Sequence, residues 1–136
     1  MPLSFIIMLT LQAWSPPVSV LVAFDATATI IAPPSSGKDD PKRYDNLKAY
    51  LGCLYDAALR FEPLGETFDA TIEVSRSACM KERAVAALDL NDRYTRDGQE
   101  DPLDRAMAYM TQCENDATRI TLRLPFWEQR AERLAR

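Results

Sequence analysis

Apolar positions recur at steps of three and four along most of the chain beyond residue 43, and that period predicts helices. Tyr44, Leu47, Tyr50, Leu51, Leu54, Ala58 and Phe61 form the first such stripe. Asp40 suits the position that caps a helix start, and Pro41 suits the first turn, where its missing N–H costs nothing. A helix is therefore expected from Pro41 to Phe61, ended by Pro63 and Gly65. A third stripe is equally regular: Leu103, Met107, Met110, Cys113, Ala117, Ile120 and Leu124, interrupted by Pro125. Asp101 is expected to cap it, Pro102 to open it, and Asp104 to face the positive end of its dipole. A short amphipathic tail follows, with Phe126, Trp127, Arg130, Ala131 and Leu134.

The middle segment is ambiguous. Phe68, Ala70, Ile72 and Val74 alternate with polar residues, which is a strand pattern. The same residues fit a helix that sets Phe68, Ile72, Ser75 and Cys79 on one side. A lone strand would leave its backbone groups unpaired, so one helix of about 20 residues within Thr67 to Tyr94 is the expectation. Asp97-Gly98 makes the next turn. Amphipathic helices joined by short connections predict an all-α fold, a small three- to four-helix bundle. The pattern shows no internal repeat and no heptad run.

The first 37 residues differ sharply: Asp25 is their one charged side chain. Apolar runs at Leu3–Ala13 and Val18–Phe24 are each shorter than the ~20 residues a bilayer-spanning helix needs, and Pro16-Pro17 separate them. Ala26-Thr27-Ala28 has the small-x-small form of an export cleavage site, although no basic residue precedes the apolar stretch. Residues 1–28 are thus expected to be a signal peptide, or else an apolar anchor. Residues 29–40 read as a linker and residues 41–136 as the helical domain.

Three cysteines fall in three different expected helices. In an exported chain two of them should pair. Cys53 with Cys79 is the expected bridge, because the Pro63–Gly65 turn lies midway and the pair would staple an antiparallel helical hairpin. Cys79–Cys113 is one alternative, and an intermolecular bridge through the odd cysteine is another. Cys113 then reads as a buried thiol outside the bridge. The layout of leader, polar linker and cysteine-stapled hairpin resembles that of small exported bacterial proteins; the likeness is one of organisation and assigns no residue roles.

Composition removes most chemistries. The chain has 136 residues and no histidine, which excludes Ser-His and Cys-His nucleophiles and His-ligated metals within it. Four scattered glycines allow no phosphate-cradling loop. A net charge of −4 offers no general attraction to nucleic acid. The acidic run from Asp89 to Asp104 fails the calcium-loop pattern, since Tyr94 stands where that loop needs glycine. The carboxylates Asp56, Glu66, Glu73 and Glu82 show no spacing that marks a catalytic pair. No cofactor and no metal is expected. The basic, aromatic C-terminal segment is the candidate partner surface, through Phe126, Trp127, Arg130 and Arg133, because Trp and Arg are enriched at interface hot spots. The reading is a non-enzymatic exported helical protein, periplasmic or secreted, acting as a binding, accessory or inhibitor module with a protein partner. The alternatives are a membrane-anchored interaction protein that retains residues 1–32 and a carboxylate-dependent hydrolase.

Overall fold

A computed structural model describes residues 32–35 and 42–136. The expected leader, its cleavage site, and the Asp40-Pro41 helix start lie outside the described residues. The helices are α1 (Asp45–Phe61), α2 (Phe68–Ala78), α3 (Met80–Arg96), α4 (Pro102–Asp116) and α5 (Arg123–Ala135). A π-helical segment, Ala117–Leu122, joins α4 to α5. There is no strand among the described residues.

The elements form three rods. Tyr50 meets Glu114, and Glu62 meets Arg130, so α1 runs parallel to the α4–π–α5 rod. Phe68 meets Phe126, while Arg83 meets Glu114, so the α2–α3 rod is antiparallel to both. The result is the expected all-α bundle. Its main core joins Leu47, Tyr50, Leu51 and Leu54 of α1 to Ala86, Leu90 and Tyr94 of α3 and to Ala106, Tyr109, Met110, Cys113 and Ala117 of the third rod. A smaller cluster of Ala58, Ile72 and Leu122 continues it toward α5.

The hairpin turn follows the chemistry of its residues. Glu62–Leu64 tighten into one 3-10 turn, and Gly65 stops it at φ 78°, a left-handed conformation that favours glycine. The Thr67 hydroxyl then accepts the Ala70 N–H and caps α2. Residues 68–76 are helical, with Ile72, Ser75 and Cys79 all buried. The single long helix expected here is two: Cys79 leaves helical geometry at φ −106°, ψ 22° and ends α2 as it begins α3. Cys79 is also bonded to Cys53, 26 positions earlier in the sequence, so the break falls at the disulfide. The bridge ties α1 to the junction of α2 and α3, and Cys113 is buried in the main core outside it.

Two expected helix signals act differently from their usual roles. Asp101 precedes α4 but sits at φ 50° and makes no side-chain cap; its carbonyl accepts the Arg105 N–H instead. Pro125 does not end the helix. It has no N–H to give, and its ring would clash with the carbonyl of residue 121 in a regular α-helix. The π segment just before it widens the turn: the Arg123 N–H reaches back five residues to the Thr118 carbonyl, and the helix runs on to Ala135.

Residues 32–35, within the expected linker, touch the helical body. Pro34 is buried, the Tyr94 hydroxyl donates to the Ala32 carbonyl at 2.7 Å, and the Ser35 N–H donates to the Asp97 carboxylate at 2.6 Å. Arg43 donates to the Pro34 carbonyl at 2.9 Å. The segment lies as a strap on the C-terminal end of α3.

Candidate functional site

Two buried carboxylates organise the charge of this protein. Glu114 on α4 is 1% exposed. Its Oε1 accepts the Tyr50 hydroxyl at 2.8 Å and Arg83 Nε at 2.7 Å, while Arg76 Nε stands 3.2 Å from its Oε2. One glutamate thereby ties together α1, α2, α3 and α4. Burial, and then the Glu114 carboxylate, push the Tyr50 phenol well above its usual range, so Tyr50 remains a donor.

Glu62, just past α1, is fully buried. Arg130 and Arg133 of α5 reach its Oε2 at 3.1 and 3.0 Å, and Gln129 donates both to it and to the Leu59 carbonyl. Burial opposes ionisation of Glu62, but the hydrogen bonds from Arg133, Arg130 and Gln129 outweigh it and hold its carboxyl below the usual range. The two glutamates are therefore interior anchors: Glu62 takes hydrogen bonds on both oxygens, while Glu114 takes two on Oε1 and a charge contact from Arg76 on Oε2.

The four residues of the expected partner surface divide accordingly. Phe126 is buried, edge-on to Phe68 at 5.0 Å and to Trp127 at 5.3 Å, so it offers nothing to a partner. Arg130 is turned inward, holding Glu62 while lying 4.8 Å from the Phe126 ring centre. Arg133 is likewise bound to Glu62. Trp127 is the most exposed of the four at 43%, and the Arg133 side chain keeps 37% of its surface open while bound to Glu62.

Trp127 lies at one wall of a half-open groove of about 860 Å³ between the start of α2 and the π segment with α5. Glu66, Asp69 and Glu73 line one side and Arg119 and Arg123 the other. Two of the four carboxylates weighed as catalytic, Glu66 and Glu73, thus share the groove. Glu73 is exposed and paired with Arg76 at 2.8 Å, an open ion pair rather than a desolvated acid. Asp56 lies elsewhere, on α1, where burial raises its pKa and Arg60 lowers it. Glu82 stands beside the disulfide. Its carboxylate and the two sulfurs of Cys53 and Cys79 lie within 4.8 Å of one another, but bonded sulfurs present no thiolate to a metal.

Comparison with protein-family models, with curated proteins and with solved structures finds no match to this chain.

The outward face of α5 is the other notable surface. Leu124 and Leu134 are 65% and 70% exposed, and Trp127 lies between them. The sequence stripe had placed Leu124 and Ile120 inside. The π segment changes the register: the buried face steps from Ala117 to Leu122 and then to Phe126, a five-residue step followed by a four-residue one. Ile120 and Leu124 are carried outward. The buried glutamates were missed for a related reason. Glu62 lies four residues past Ala58, and Glu114 four past Met110, so both continue an inward face; the signal was an acidic residue in register with core positions.

Proposed function

We propose that this chain is a non-enzymatic helical binding module that works in an oxidising compartment after export, with the outward face of α5 as its docking surface. The observation that carries the reading is the contrast between charge and apolar surface on the third rod. The buried acids are consumed by arginines, while Leu124, Trp127 and Leu134 are left exposed on one helix face. Grouped exposed apolar side chains mark interaction surfaces more often than scattered ones do. The Cys53–Cys79 bridge supports an oxidising setting. Among the described residues, no helix is long and apolar enough to cross a membrane.

A photo-crosslinking amino acid at position 127, compared with one at the exposed Leu88 of α3, tests the docking face in the native host. Adducts specific to position 127 are expected; equal labelling from both positions would reject the surface. Non-reducing peptide mapping tests the compartment. A native chain beginning at Thr29 with Cys53 joined to Cys79 is expected, and an intact Met1 with reduced thiols would overturn export.

A further inference from the structure

The exposed residues of α5 are regularly spaced. Leu124, Trp127, Ala131 and Leu134 are all exposed, at steps of three, four and three, and Ile120, 58% exposed, extends the series by another step of four. This is the seam spacing of a coiled coil, in which apolar residues alternate between a and d positions. The core face of the same helix, filled by Phe126, Gln129, Arg130 and Arg133, adjoins it at Trp127, whose ring meets Phe126 and Arg130 at 5.3 Å. α5 thus has one face committed to the bundle and a second, two-heptad seam facing outward.

The charges beside that seam fit a second copy in one orientation. With Leu124 at a and Trp127 at d, Arg123 takes a g position and Glu128 an e position. Both are exposed, and Arg123 makes no ion pair among the described residues. In a parallel pair, each g residue faces the e residue five positions later on the other helix. Arg123 then meets the second copy's Glu128, twice by symmetry. In an antiparallel pair e faces e, which would set Glu128 against its own copy. The next g residue, Arg130, is already held by Glu62 and does not disturb the pairing. The small Ala131 layer gives room to the indoles stacked in the layer beside it.

We propose that the outward seam of α5 is a parallel self-association surface, and that the partner it takes is a second copy of this chain. The proposal rests on the binding-module reading and names its partner. The test uses the chain as purified from its host. Light scattering of the unmodified chain should show a concentration-dependent dimer. Arg123→Glu or Glu128→Arg alone should raise the dissociation constant by about tenfold, as two symmetric attractive pairs become repulsive, and the double charge swap should restore it. Leu124→Cys should cross-link to itself on mild oxidation, since the chain's own cysteines are bridged or buried. Cross-links formed only between Leu124→Cys and Leu134→Cys chains would overturn the parallel arrangement, as would a double swap that stays dissociated. A monomer at every concentration up to about 1 mM, where even weak pairs form, would overturn self-association. If that monomer still gave position-127 adducts with another protein in the host, the binding-module reading would survive; with no such adducts, both would fall.

Discussion

Glu62 shows what one buried carboxylate can contribute when its donors are complete. It receives Arg130, Arg133 and Gln129, and these hold the second half of α5 against the end of α1. Losing one partner of a buried ion pair leaves the rest desolvated without compensation. Glu62→Ala should therefore cost about 3 kcal/mol in denaturant unfolding, with Arg133, the most exposed member, free to relax into water. The pH dependence has a definite sign. The folded-state pKa of Glu62 lies below its ordinary value of 4.5, so its stabilisation is complete above that value and is lost as pH falls through the lowered folded one. Glu62→Gln should flatten the acid limb of a stability–pH profile measured by urea unfolding. An unchanged acid limb would remove Glu62 as its source.

At the scale of elements, regular structure was legible where local chemistry and packing agreed. The α1 stripe, the Pro63–Gly65 stop and the helix opening at Pro102 follow from side-chain period, proline and glycine. The Cys53–Cys79 bridge was legible because a hairpin turn lay between its members. With the cysteines 26 positions apart, the chain-entropy model gives about 3.5 kcal/mol, so Cys53→Ser/Cys79→Ser should lower unfolding stability by roughly that amount. The helix break at Cys79 was not legible, since no proline or glycine marks it. Nor was the π segment, because a periodic stripe presumes a constant residue count per turn. That segment makes its own prediction. A π turn is one residue inserted into an α-helix, so deleting Ile120 should restore α geometry and return Pro125 to a clash worth about 3 kcal/mol. Combining the deletion with Pro125→Ala should recover most of the loss in thermal unfolding. Failure to recover would mean that the π turn does not exist to accommodate the proline.

For the whole molecule, contacts of the helical body reach into the segment that composition reads as a linker. A stretch rich in Pro, Ser and Gly reads as a linker because none of its residues carries an apolar period. Yet residues 32–35 are bound to the far end of α3 through Tyr94 and Asp97, contacts made at a sequence distance of 62 residues that no local pattern encodes. The candidate site was hidden in the same way. Trp127 was legible as a candidate partner residue, but the outward seam depends on the π register, and the engagement of Arg130 and Arg133 depends on Glu62, which is distant in sequence. The strap can be tested without disturbing the core. Tyr94→Phe keeps the buried ring and removes only the hydroxyl that donates to the Ala32 carbonyl, at a cost of about 1 kcal/mol. Asp97→Ala removes the acceptor of the Ser35 N–H on an exposed part of the surface. Both variants should speed hydrogen exchange at the Ser35 amide while leaving amides in the middle of α1 and α4 unchanged, since local opening of a peripheral segment need not involve the global unfolding that exposes the core. If Ser35 exchange is unaffected by either change, the strap is not held by these two bonds. If the core amides accelerate with it, the strap and the bundle are one cooperative unit, and the folded body begins at Ala32.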